Sequence, residues 1–308
     1  MIPFLRLIRV VNLLIIVLTM VGVAYYILKV NDYLQIDFNA FDYCLLILST
    51  VIIAAAGNMI NDYFDVRADR VNKPQKLVIS KYLKKRWAIV IHWFLNLAAV
   101  FISILLTIRY HSFLFVFIHL AAMNLLWFYS ANFKKKLLIG NIIIASLTSL
   151  VPLLAVWYFK VANESAAPFS PYHKETWSTY LDYSFIYFFV ICAFFQNLSR
   201  EISKDIQDVT GDKLIHVFSL PMKIGERKAG LVSVVLLQIP LIIGAVAISQ
   251  EMISINLISI ILLIVSACLN IACFVLYLIR KEFPFDPINT IIKWSMLVGI
   301  CALFTNTL

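Results

Sequence analysis

The sequence predicts an all-α integral membrane protein of about nine transmembrane helices. Three observations predict it: 62% of the 308 residues are hydrophobic against 14% charged, the apolar residues gather in nine long runs, and the basic residues crowd every second connecting segment. A soluble domain is nearer half apolar and a quarter charged. A soluble core of this size could not absorb the excess, whereas lipid solvates the outward faces of apolar helices.

The runs cover roughly 10–28, 43–61, 87–108, 112–129, 138–159, 183–203, 229–249, 253–279 and 290–306. Each approaches or exceeds the length that crosses the hydrocarbon as a helix. Helices satisfy their own backbone groups in lipid, and the segments lack the dyad alternation of a membrane barrel. The first run has no small-residue cleavage site after it, so it reads as a retained span rather than a removed signal peptide. The five cysteines, Cys44, Cys192, Cys268, Cys273 and Cys301, lie in or beside apolar runs with no C-x-x-C pair. They read as small buried hydrophobes rather than disulfide or metal partners.

Of the 26 Lys and Arg residues, 21 fall in one alternating set of regions. These are Arg6 and Arg9, eight residues from Arg67 to Arg86, Lys134 to Lys136, six from Arg200 to Lys228, and Arg280 with Lys281. The other regions hold Lys29, Arg109, Lys160 and Lys174, and Lys293 begins the last span. The positive-inside rule puts the rich set and the N-terminus in the cytoplasm, and an odd number of spans sends the C-terminus out. The net charge of +9 is therefore a signature of orientation in a cell membrane, not of nucleic-acid binding.

The second span ends in Asn58, Asn61, Asp62, Asp65 and Asp69, and the sixth in Asn197, Glu201, Asp205, Asp208 and Asp212. The spacing Asp-x2-Asp-x3-Asp recurs with an offset of 143 residues. Steps of three and four share a helical face, so each cluster reads as a column of carboxylates at a cytoplasmic helix end. Gly211 is a point at which the second helix could end, just before Asp212. The recurrence predicts two parallel four-helix repeats, about 8–135 and 138–280, plus a final helix within a single domain.

Carboxylate columns repel each other unless a cation lies between them, and Mg²⁺ commonly combines one or two carboxylates with substrate phosphates. Basic residues accompany both columns: Arg67, Arg70, Lys73 and Lys76, then Lys204 and Lys213, with Lys134, Lys135 and Lys136 in an intervening loop. Mixed acid and base suits a metal–diphosphate complex. The competing reading is a set of solvated ion pairs.

The stretch GNMINDYFDVRADRVNKP, from Gly57 to Pro74, resembles the first aspartate-rich motif of the UbiA superfamily of intramembrane prenyltransferases. REISKDIQDVTGDK, from Arg200 to Lys213, with Ser219-Leu220-Pro221, resembles the second motif in the form used by the branch that prenylates a glycerol phosphate ether lipid. Tyr129-Ser130, Lys134 to Lys136 and Gly140-Asn141 resemble a looser third signature, and Arg9 with Asn12 fits the family's first span. The chain departs from the family pattern at Lys76-Leu77 and Ser80-Lys81, where many members have Arg-Pro and Ser-Gly, and at His216, where the branch has Gly.

The resemblance implies a UbiA-like helical bundle that transfers a prenyl group, of geranylgeranyl length, from its diphosphate to an acceptor such as geranylgeranylglyceryl phosphate. It implies two Mg²⁺ ions held by Asn61, Asp62, Asp65, Asp69, Asp205, Asp208 and Asp212. Tyr129 would line the reaction chamber. Asn58, Asn61, Arg67, Lys76, Lys134, Lys135, Asn141, Asn197, Arg200, Glu201, Lys204 and Lys213 would meet substrate. The expected partners are prenyl diphosphate, a lipophilic or amphipathic acceptor and membrane lipids, with no nucleic acid and no obligate protein partner. Two alternatives stand beside this: prenylation of an aromatic quinone precursor, and an ion-coupled transporter, for which acids belong near span midpoints rather than helix ends.

Overall fold

The structure, a computed structural model, describes residues 2–31, 36–75, 77–166, 183–214 and 217–306. Lys76, Lys174 and His216 lie outside them. Among the described residues nine helices are long and apolar enough to cross a membrane. The protein is a multi-pass, all-α membrane protein. A short helix α1 (Ile2–Leu7) precedes α2 (Val10–Val30), α3 (Ala40–Asn72), α4 (Lys85–Tyr110) and α5 (Leu114–Ala131). A 3-10 turn (Phe133–Lys135) and a two-residue strand β1 (Lys136–Leu137) lead to α6 (Ile139–Ala166) and α7 (Ser184–Leu214). Then follow β2 (Phe218–Ser219), α8 (Leu220–Ile224), α9 (Glu226–Leu236), α10 (Ile239–Ser249), α11 (Leu257–Ile279) and α12 (Phe285–Thr305).

The helices bearing the acidic columns are longer than hydropathy alone predicts. Those expected to end at 61 and 203 run on to Asn72 and Leu214. The continuations are amphipathic and stay packed: Asp65, Val66 and Ala68 are buried on α3, and Ile206, Val209, Gly211 and Asp212 on α7. Burial on one face keeps the helix intact through Gly211, where local propensity alone allows a stop. The seventh span departs in the other direction. It breaks into α9 and α10, with Pro240 near the start of the second piece. Proline cannot donate into the helix ladder. Gln238 bridges the break, donating to the carbonyls of Val234 (2.9 Å) and Asn270 (3.1 Å).

The chain forms two compact units, one of residues 1–131 and 154–182, the other of 132–153 and 183–308. In the first, α3 packs along α4 and α5. At Gly57 a Cβ would stand 2.8 Å from Leu126 Cδ1, so the Leu126 side chain of α5 packs directly on this glycine and would have to shift for a larger residue. Small residues at such crossings are the usual device of membrane helix packing. Two buried histidines tie the same helices together. His92 Nδ1 lies 3.0 Å from the carbonyl of Ala56, and His119 Nε2 lies 2.8 Å from Ser49 Oγ.

At the opposite end of α3 from the acidic column, Asp42 is 1% exposed. One of its oxygens meets Arg109 Nε at 2.8 Å and accepts the Tyr110 hydroxyl at 2.8 Å. Tyr110 also meets Tyr158, whose hydroxyl donates to the carbonyl of Asn39. A buried acid survives when it is paired in this way.

In the second unit, α7 packs against α9 and α12. Ser233 of α9 lies between Ser199 (2.9 Å) and Ser203 (2.8 Å) of α7. Gln196 donates to Ser295, which meets Ser266 at 2.7 Å, so α7, α12 and α11 share a second polar seam. Among the cysteines, the expectation of burial holds for Cys273 and in part for Cys192. Cys44, Cys268 and Cys301 are exposed on helix surfaces, and all five are free thiols. The outer faces of spanning helices are solvated by lipid, which accepts a thiol as readily as a methyl group.

Candidate active site

In the first unit the acidic column occupies the last three turns of α3. A hydrophobic cluster of Leu7, Met59, Val66, Val78, Ile79 and Ala88 wraps this end of the helix. It draws in α1 and the turn before α4. Asn58 donates to the carbonyl of Ile8 (2.9 Å), and Arg9 pairs with Asp62 through Nη2 and Oδ1 at 2.8 Å. Arg9 sits at the joint of α1 and α2 in the left-handed region, with φ 55°. That conformation is uncommon for a residue with a Cβ.

Asn61 donates to Asp65 Oδ2 at 3.0 Å, while its own Oδ1 is buried without a hydrogen-bond partner. An orphaned buried amide oxygen is costly unless something positive meets it. Its place one turn from a buried carboxylate suits a hard cation. Asp69 is half-buried and Arg67 exposed on the same helix end. Tyr129, half-buried, lies on α5 beside the Leu126 contact with α3.

In the second unit Asn197, Arg200, Glu201, Lys204, Asp205, Asp208, Asp212 and Lys213 are all carried by α7. Asn141 of α6 donates to Asp205 Oδ2 at 2.8 Å, and the charges acting on Asp205 are Glu201, Lys134 and Asp212. Lys204 pairs with Glu201 one turn away on its own helix. Asn197 bonds back to the carbonyl of Ala193 (2.8 Å). Arg200 Nε donates to Asn289 Oδ1 of α12 at 3.1 Å.

A parallel pairing of β1 with β2, in the register Lys136 to Phe218 and Leu137 to Ser219, fastens the lysine turn beside the segment that follows the second column. That segment is drawn back to the helix where Val217 N–H bonds the carbonyl of Asp212 (3.1 Å). The structure thus brings Lys134, Asn141, Glu201, Lys204, Asp205 and Asp212 into one region of the second unit. Lys135 and Lys213 are exposed at its edge.

Among the described residues no three His, Cys, Asp or Glu side chains converge closely enough to hold a metal ion by themselves. Mg²⁺ rarely uses such a cage; it keeps waters and takes one or two carboxylates together with substrate phosphates. The oxygen donors present fit that habit. Two residues outside the expected site set enter through contacts, Arg9 on Asp62 and Asn289 on Arg200. Each pairing spans dozens of positions. Arg9 is signalled by its fit, with Asn12, to the family's first span, and Asn289 only as a polar residue near the start of an apolar span.

The model of the UbiA prenyltransferase family matches residues 15–297. A curated protein of Pyrococcus horikoshii named digeranylgeranylglyceryl phosphate synthase is 31% identical over 195 residues, 61% of this chain and 59% of the relative. One of Saccharolobus solfataricus with the same name is 30% identical over 259 residues, 83% of this chain and 82% of the relative. Over the first of these matches, and others like it, the chain spans about 60% of the relatives' length.

Among solved structures, one described as digeranylgeranylglyceryl phosphate synthase in membranes superposes with a TM-score of 0.66 at 24% identity, covering 99% of this chain and 97% of the other. A UbiA homologue from Archaeoglobus fulgidus, bound to DMAPP and Mg²⁺, gives 0.58 at 16% identity, covering 98% and 99%. These likenesses establish the fold.

Proposed function

Because the chain belongs to the UbiA prenyltransferase family, we propose that it transfers a prenyl group, of geranylgeranyl length, from prenyl diphosphate to a glycerol phosphate ether lipid. The observation that carries this reading is the pair of equally spaced acidic columns. Each stands on a helical continuation of a spanning helix, beyond its apolar stretch. The names of the curated relatives support the acceptor class, and the DMAPP and Mg²⁺ in the A. fulgidus homologue support the donor and metal. The positive-inside bias supports a cytoplasmic mouth in the cell membrane, with the N-terminus on the same side. The recurrence of the columns supports two parallel four-helix repeats followed by a ninth spanning helix.

Within the first unit Asn61, Asp62, Asp65 and Asp69, and within the second Asp205, Asp208 and Asp212, would hold Mg²⁺ with diphosphate oxygens, two ions in all. The bound metal supplies electrostatic stabilisation of the negative charge that develops on the leaving diphosphate. Asn141 orients Asp205, and Arg9 orients Asp62. Arg67 in the first unit, and Lys134, Lys135 and Lys213 in the second, would meet phosphate oxygens; Lys76, expected to do the same, lies outside the described residues. The C1–O bond of the prenyl diphosphate breaks with its electron pair leaving on the diphosphate. The allylic fragment stays among apolar helices, where restricting water prevents its capture as an alcohol. The ring face of Tyr129 stabilises its positive charge. The acceptor hydroxyl forms the new C–O bond and releases its proton. Arg200 and Lys204 bind the acceptor phosphate.

Product mass from a panel of prenyl diphosphates crossed with glycerol phosphate lipids and aromatic acids tests the reading. Prenylated glycerol phosphate lipid supports it. Product with aromatic acids alone transfers the site to quinone-type chemistry, and acceptor flux without covalent change points to a transporter.

A further inference from the structure

Arg200 and Asn289 are 89 positions apart, on α7 and α12, and meet at 3.1 Å through Arg200 Nε and Asn289 Oδ1. A guanidinium only donates, so the Asn presents its carbonyl oxygen. We propose that Asn289 is a positioning residue for Arg200, setting the plane of the guanidinium toward the phosphate of the lipid acceptor. The inference rests on the acceptor class argued above.

Three features support it. First, the contact is not needed to dock the two helices. The seam from Gln196 through Ser295 to Ser266 already joins α7 to α12 and α11 in the buried interior. Ordering a long Arg side chain costs rotamer entropy, which is a poor use of an interface that is already fastened. Second, Asn289 is held rigidly. Ile288 and Ile292, both 0% exposed, lock the rotation of α12 against Val234, Leu237, Cys273 and Tyr277. A functional side chain is best carried by an element whose packing fixes it.

Third, the group that meets Nε is neutral. A carboxylate would orient the guanidinium equally well but would cancel the charge that a phosphate needs. An amide oxygen fixes Nε without adding an opposing charge of its own. Arg binds phosphate through the geometry of its planar fork, so fixing that plane matters more than it would for the point charge of a Lys.

The test is steady-state kinetics of the full chain in nanodiscs, with geranylgeranylglyceryl phosphate as acceptor. Asn289→Ala should raise the acceptor KM about tenfold, of the order expected for losing one hydrogen bond to a charged group. The KM for prenyl diphosphate and the melting temperature should barely move. Asn289→Asp keeps the oxygen but adds opposing charge, and should fall between the two. In an Arg200→Gln background Asn289→Ala should have no further effect. Ser295→Ala is the structural comparator, lowering the melting temperature with the acceptor KM unchanged.

An unchanged acceptor KM in Asn289→Ala, or full additivity with Arg200→Gln, overturns the inference. If the wild type does not turn over the lipid at all, it is the acceptor assignment that fails, and this inference fails with it.

Discussion

Arg9 Nη2 and Asp62 Oδ1 lie 2.8 Å apart, so the first carboxylate of the first acidic column is held by a residue from the joint of the two N-terminal helices. The pair is part-exposed, and such pairs contribute at most about 1 kcal/mol to stability. Its consequence is therefore geometric. Asn58 pins the carbonyl of Ile8 next door, so the joint is fixed from both sides by α3.

Arg9→Gln should therefore separate folding from turnover. The expected result is a melting temperature within a few degrees of wild type and a loss of turnover of about tenfold or more, measured as diphosphate release. A variant that melts much lower but turns over normally, once corrected for the folded fraction, would show the pair to be structural.

At the other end of α3, Asp42 is buried against Arg109 and Tyr110. Arg109 stays 54% exposed while Asp42 is buried, so solvent screens the pair, and removing Arg109 costs less than breaking a fully buried pair, about 3–5 kcal/mol. Arg109→Leu should thus be destabilising, because Asp42 stays buried with only the Tyr110 hydroxyl on that oxygen among the described residues, and Arg109→Leu with Asp42→Asn less so. Thermal unfolding in detergent checks the order of the two, and equal melting temperatures would refute the coupling.

Ser233 bridges Ser199 and Ser203 across α9 and α7. Interhelical hydrogen bonds in membrane proteins average about 0.6 kcal/mol and reach about 1.7. Ser233→Ala should fall toward the upper figure because two partners lose their contact. A double-mutant cycle with Ser199→Ala in a detergent unfolding series measures it, and zero coupling energy would dismiss the seam.

The nine spans and the two columns are legible in the sequence because they are local: apolar run length and three- and four-residue spacing need no knowledge of neighbours. The lengths of α3 and α7 are not legible in hydropathy. Their last turns stay helical through the burial of Val66 and Ala68, and of Ile206 and Val209, which are tertiary contacts. Gly211 reads as a stop locally and is overridden for the same reason. Arg9 on Asp62 and Asn289 on Arg200 are pairings across 53 and 89 positions, which no spacing rule reaches. Asn141 was legible only through the family signature, and the structure supplies its partner, Asp205.

On the proposed function, each acidic column would bind metal and diphosphate for prenyl transfer. The most direct test of this is the release of diphosphate per prenylated lipid, with and without Mg²⁺, in wild type, Asp62→Asn and Asp208→Asn. The expected result is one diphosphate per product in wild type, no release without the divalent ion, and a loss of at least about a hundredfold in each folded variant. Near-normal release in both variants, or release that does not depend on the metal, would contradict it.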